Sequence, residues 1–105
     1  QCNLCDISTT SVLRASHIKE WSESSREERI DANNGLLLCA NHDALFDRHL
    51  ISFEPNTGNI CISASIDSNQ RKALNLSESA NLSMTDRMKS YMQIHHKKFI
   101  EKENQ

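Results

Sequence analysis

A chain of 105 residues is long enough for one domain and one modest core. With 12 Lys+Arg against 14 Asp+Glu the formal charge is −2, which excludes nucleic-acid affinity by bulk basic charge and leaves it to a local patch, a bound cation or another domain. Two glycines, one proline and an ordinary charge content argue against disorder. No apolar run could span a bilayer and no signal-peptide pattern opens the chain, so a cytoplasmic location without membrane contact is expected.

Cys2-x2-Cys5 opens the sequence. Cysteines this close suit a metal knuckle or a redox pair better than a structural disulfide, and a reducing compartment favours the metal. After a polar turn at Ser8-Thr9-Thr10, the segment Val12–Ile18 alternates as a strand. Val12, Arg14 and Ser16 face one side, and Leu13, Ala15 and His17 the other, with His17 near the strand end. Residues 19–33 are polar and read as a loop with a helical turn over 26–30. Asn33-Asn34-Gly35 is a turn signal, and Leu36–Leu38 is a short buried strand that would pair antiparallel with the first. Asn41 is suited to cap a helix running to about Arg48.

Further on, Ile51–Phe53 and Asn59–Ser63 form a hairpin pattern around Glu54-Pro55-Asn56-Thr57-Gly58. A short helix is expected within 66–75, after Asp67. The strongest helical pattern runs from a Thr85 cap to Lys102, with Met88, Met92, His95 and Phe99 on one stripe and Tyr91 beside it. His95 reads as a satisfied core histidine. Arg87, Lys89, Lys97, Lys98 and Lys102 read as a solvated face of the same helix.

Cys2 and Cys5, with Cys39-x2-His42, make two ligand pairs at zinc spacing. Three thiolates and one imidazole are an accepted tetrahedral set, and the pairs would staple the N-terminus to the start of a helix. The competing reading is thiols that pack without metal. Cys61, inside an alternating strand, reads as a small buried hydrophobe.

Several segments together resemble the HNH endonuclease superfamily, in its bacterial restriction-type branch. They are Ala15-Ser16-His17-Ile18-Lys19, Trp21, Glu28-Arg29, Asn34-Gly35-Leu36-Leu37-Leu38, Asp43, Phe46-Asp47 and Leu50-Ile51-Ser52-Phe53. The stretch from Tyr91 to Phe99 is similar to the closing helix of that branch. The resemblance implies an α+β fold with a ββα-metal (His-Me finger) core, a zinc knuckle, an extra β-hairpin and a C-terminal helix. Residues 1–105 would be a single HNH domain. Because the chain begins at Gln1 rather than methionine, it is read as a C-terminal fragment of a longer protein whose other domains would be partners.

The implied activity is a metal-dependent DNA endonuclease that hydrolyses phosphodiester bonds, in restriction or another defence role. His17 matches the general base, a task imidazole suits because it titrates near neutral pH. Asn34 matches the residue that braces the loop and orients that base. Asp43, nine residues after Asn34, matches the helix metal ligand, and Asp47 follows one turn later. These carboxylates would hold Mg²⁺ or Mn²⁺ as the catalytic ion, beside a structural Zn²⁺.

Some features depart from the family pattern or leave choices open. Ser16 precedes the base where many members have an aspartate or histidine ligand. His42 and Asp43 are adjacent candidates for different metals. His42 is assigned to zinc through the Cys39-x2-His42 frame, and the exchange would leave the cysteines one ligand short. Asp47 has a second reading as a structural acceptor or a partner for Arg48 or Arg14. His49 stands where the family has glycine and is expected to face solvent, and Trp21 is expected to be a packing anchor. The rival function is a zinc-stapled module that binds nucleic acid or protein without cutting.

Overall fold

In the computed structural model, which describes residues 1–105, two antiparallel hairpins are joined by one short helix and strapped by one long one. Strand β1 (Leu13–His17) pairs with β2 (Gly35–Cys39), helix α2 (Ala40–Asp47) follows directly, and β3 (Ile51–Phe53) pairs with β4 (Ile60–Ile62). Helix α1 (Arg26–Ile30) sits in the loop between β1 and β2, α3 (Ser68–Ala73) follows β4, and α4 (Asp86–Glu103) closes the chain. The mixed α/β class and the β–β–α order are those expected.

The first hairpin follows from its alternation. Ser16 pairs with Leu36 and Arg14 with Leu38; Leu36, Leu38 and Ser16 are buried on the inner face, toward α2. Ala15 pairs with Leu37 and His17 with Gly35 on the outer face, where Ala15 and Leu37 are exposed. Strand geometry sends neighbouring side chains to opposite faces. Asn3 stitches the outer edge of β2: its amide donates to the Leu37 carbonyl (2.8 Å), and the Leu37 amide donates to Asn3 Oδ1 (2.8 Å). The outer edge of β1 has no strand partner.

Helix starts are mostly legible in the caps. Ser25 and Glu28 form a capping box on α1, Asp67 accepts from the Gln70 amide, and Thr85 accepts from the Met88 amide. The exception is α2. Cys39, not Asn41, holds the capping position and makes no side-chain cap bond, because its sulfur is turned toward Cys5.

The core joins Leu36, Leu38, Leu45 and Phe46 to Ile51, Phe53 and Met92. Strand β3 is buried at every position, with α4 packed against it, whereas β4 is half-buried. Cys61 on β4 is therefore half-buried rather than a core residue. On α4 the buried stripe is Tyr91, Met92, His95 and Phe99, with Met88 at its edge. No helix is long and apolar enough to cross a membrane.

Candidate functional site

The start of α2 brings together the two ligand pairs. The donor atoms of Cys2, Cys5, Cys39 and His42 all lie within 4.8 Å of one another. Cys2 Sγ is 3.5 Å from His42 Nδ1, and Cys5 Sγ is 4.0 Å from Cys39 Sγ. A zinc tetrahedron has S–N and S–S edges of roughly 3.5–3.8 Å, from bond lengths of about 2.05 Å to nitrogen and 2.3 Å to sulfur. The donor set therefore fits Zn²⁺ in both chemistry and spacing.

The surroundings of the cluster fit as well. His42 Nε2–H donates to the Leu74 carbonyl at 2.8 Å, which fixes the ring and leaves the Nδ1 lone pair toward the sulfurs. The Leu4 amide donates to Cys2 Sγ at 3.4 Å. Burial alone would raise the Cys2 thiol, but the bond to His42 and the amides of Leu4 and Cys39 outweigh it and bring it to about 6. Burial, and then the neighbouring Cys2 sulfur, push the Cys5 thiol up to about 11. One thiolate is thus formed readily while further negative charge is resisted, and a divalent cation removes that conflict. With one ring nitrogen facing Cys2 and the other on Leu74, His42 belongs to this cluster.

One residue further along α2 the chemistry changes. Asp43 is half-buried, and its Oδ1 accepts the hydroxyl of Ser16 on β1. This is the only side-chain hydrogen bond Asp43 makes, and neither Asp43 nor exposed Asp47 pairs with a basic side chain, Arg14 and Arg48 included. The two carboxylates, a helical turn apart, thus keep open lone pairs of the kind a hard cation takes.

His17 is the next residue after Ser16, so its side chain leaves the opposite face of β1. It lines a cleft of about 370 Å³ with Ala15, Arg29, Asp31, Asn34 and Leu37. Asp43 and Asp47 do not line this cleft, so β1 separates the His17 side chain from the two carboxylates. His17 Nε2 lies 3.0 Å from the Arg29 carbonyl. A carbonyl can only accept, so the neutral ring carries its proton on Nε2 and presents a lone pair at Nδ1.

Asn34 is fully buried below that cleft. Its Oδ1 accepts the Lys19 amide (2.8 Å), and its Nδ2 donates to the Glu28 carbonyl (3.1 Å). It therefore ties the end of β1 to the peptide next to the one that holds His17. Lys19 and Glu28 close the same loop with an ion pair at 2.9 Å.

A family model of HNH endonucleases matches residues 2–54, the segment that carries every residue described so far in this site except Leu74. The chain belongs to the HNH endonuclease family. A search of curated proteins found no match. Within the HNH segment, two expectations fail. His49 does not face solvent: its side chain is 13 % exposed and stacks at 4.4 Å on His95, with Glu20 Oε1 3.6 Å from its Nε2. Its φ of 57° is the left-handed conformation that glycine adopts most easily, and here it turns the ring inward. Trp21 is not an anchor either. It is 58 % exposed, with the Arg29 guanidinium 3.6 Å above its ring.

The long helix reaches the HNH segment at points that spacing did not reveal. His95 Nε2–H donates to the Phe46 carbonyl (2.7 Å), its Nδ1 accepts from Ser52 (2.8 Å), and its ring lies 3.8 Å from that of Phe46. Tyr91 and Arg87 both bind Asp31. Lys98 binds Glu20 and Glu23, so the basic face is partly engaged rather than simply solvated.

Proposed function

We propose that this chain is a metal-dependent DNA endonuclease that hydrolyses phosphodiester bonds, with His17 as general base. The observation that carries the reading is that two consecutive residues of β1 engage the two groups the chemistry needs. Ser16 holds the Asp43 carboxylate on one face of the strand, while on the other the Arg29 carbonyl engages His17 Nε2 and leaves Nδ1 without a protein partner. In this reading Asp43 and Asp47 hold one Mg²⁺ or Mn²⁺, which would polarise the scissile phosphate and stabilise the leaving oxygen. His17 Nδ1 takes the proton of the attacking water, and the Arg29 carbonyl keeps the ring in the tautomer that can do so. Asn34 holds the loop on which that carbonyl sits. The Cys2–Cys5–Cys39–His42 cluster holds structural Zn²⁺ and takes no part in the reaction.

The motifs around His17-Ile18 and Asn34–Leu38 support a place in restriction or a related defence role in the cytoplasm. The test is zinc-loaded protein incubated with supercoiled plasmid, with and without added Mg²⁺ or Mn²⁺. Ion-dependent conversion to nicked and linear forms is expected. Plasmid that is retarded on a gel but uncut with either ion would replace the nuclease by a zinc-stapled binding module.

A further inference from the structure

We propose that Asp31, gripped by Tyr91 and Arg87 of α4, is a positioning residue for His17, so that the C-terminal helix sets the geometry of the base. The inference rests on the reading of His17 as base and adds the part of the chain that aims it.

Asp31 sits where the turn before β2 meets α4. Its Oδ2 accepts from the Tyr91 hydroxyl (2.7 Å) and from Arg87 Nη2 (2.6 Å). Its Oδ1 accepts from the Asn33 amide (2.9 Å) and from Asn33 Nδ2 (3.3 Å). Four donors on two oxygens suit an ionised carboxylate, which only accepts. The Tyr91 hydroxyl, and next the Asn33 amide, hold the carboxyl below its ordinary range. Thr85, the cap of α4, donates to Asn33 Oδ1 (2.7 Å), so the first turn of α4 grips this turn at two residues.

From Asp31 the path to the imidazole is short. The Asp31 carbonyl accepts the Asn34 amide (2.9 Å), and the Asp31 amide donates to the Glu28 carbonyl (3.3 Å). That same Glu28 carbonyl accepts Asn34 Nδ2. Of the two peptide oxygens between these fixed points, those of Arg29 and Ile30, the first receives His17 Nε2–H. Loosening Asp31 frees the 28–31 segment to turn. The Arg29 oxygen then loses its aim, and the imidazole can carry its proton on either nitrogen. Thr85, Arg87 and Tyr91 all lie outside the segment that the family model matches.

The test uses the zinc-loaded full chain and three substitutions: Tyr91→Phe, Asp31→Asn and Arg87→Gln. The last lies on a largely exposed side chain and does not threaten the fold. Nitrogen-15 NMR of the histidines, without DNA, reads the His17 tautomer, and nicking assays read kcat and KM. Wild type is expected to show one tautomer, with the proton on Nε2. Tyr91→Phe and Asp31→Asn are expected to show a mixture, with kcat lower by about tenfold and KM within about twofold. Arg87→Gln should shift both in the same direction by less. A single unchanged tautomer in the folded variants overturns the proposal whatever the rate does, and so does a mixed tautomer with unchanged kcat. A wild-type chain that cuts no DNA would sink the nuclease reading, and the tautomer ratio would still decide the brace.

Discussion

The two hairpins of this molecule differ in size, with five paired positions in the first and three in the second, and in how far they are covered. β1–β2 buries one face, Ser16 with Leu36 and Leu38, and leaves the other open around His17. β3 is buried at Ile51, Ser52 and Phe53 alike, under α4 and against the core. A ribbon with a free face can present chemistry, and a strand covered on both sides, as β3 is, can only support it. The difference teaches where to look: the first hairpin carries Ser16 and His17 on its two faces, and β3 of the second packs against α4, the helix proposed to brace His17.

The largest effect should come from stripping the knuckle, because structural zinc in small domains contributes on the order of 10 kcal/mol to folding. Cys39→Ser, or prolonged chelation, should abolish cooperative melting followed by circular dichroism. Hydrogen exchange during gradual zinc removal should sharpen the contrast. Amides of β1–β2, stitched to the knuckle through Asn3 and Leu37, should lose protection before those of β3–β4. Loss in the reverse order would put the anchor in the wrong hairpin.

Next in size is His17→Ala, which should cut nicking by about a hundredfold or more and move the melting temperature by no more than about 2 °C. Wild-type cutting would remove His17 from the reaction. The second hairpin should answer to acid instead. Burial, only partly offset by the bond to the Phe46 carbonyl, lowers His95 from 6.5 to about 3, so the folded protein keeps it neutral where the unfolded chain protonates it. The unfolded state then binds more protons between pH 6.5 and about 3, and stability must fall as pH drops through that window. Urea unfolding across this range should show the loss, and His95→Gln should flatten it. An identical pH slope in that variant would assign the acid sensitivity to carboxylates.

The smallest effect expected is at Ser16. Removing its hydroxyl in Ser16→Ala should weaken Mn²⁺ binding by about tenfold, near 1.4 kcal/mol, measured by calorimetry on zinc-loaded protein. Ser16→Asp should restore or exceed wild-type affinity. Equal affinities in all three proteins would mean that Ser16 and Asp43 touch without serving an ion.

Much of this could be read in the residues. Zinc pairs, alternating strands and polar caps are local patterns, so Cys2, Cys5, Cys39, His42, both hairpins and the Thr85 cap were legible in spacing alone. The illegible part depends on contacts across long stretches of chain. Nothing near His49 in sequence announces that His95 will lie beneath it, and without that platform an exposed ring was the natural expectation. Trp21 misled in the opposite sense, because bulk suggested an anchor where the fold leaves an aromatic ring in solvent under an arginine. Asp31 carried no motif at all; its partners Tyr91 and Arg87 are supplied by a distant helix.

His42 and Asp43 are consecutive on one helix, the first among sulfurs and the second bonded to a serine on the neighbouring strand. On the proposed reading, inhibition by EDTA is an ambiguous assay for this molecule, since the reagent would strip the knuckle as well as the catalytic ion. Dialysis into a weak ligand for Mg²⁺ that spares thiolate-bound zinc is the cleaner intervention. If activity then returns on adding Mg²⁺ alone, the proposed carboxylate site can be emptied and filled without disturbing the knuckle despite sharing a helical turn.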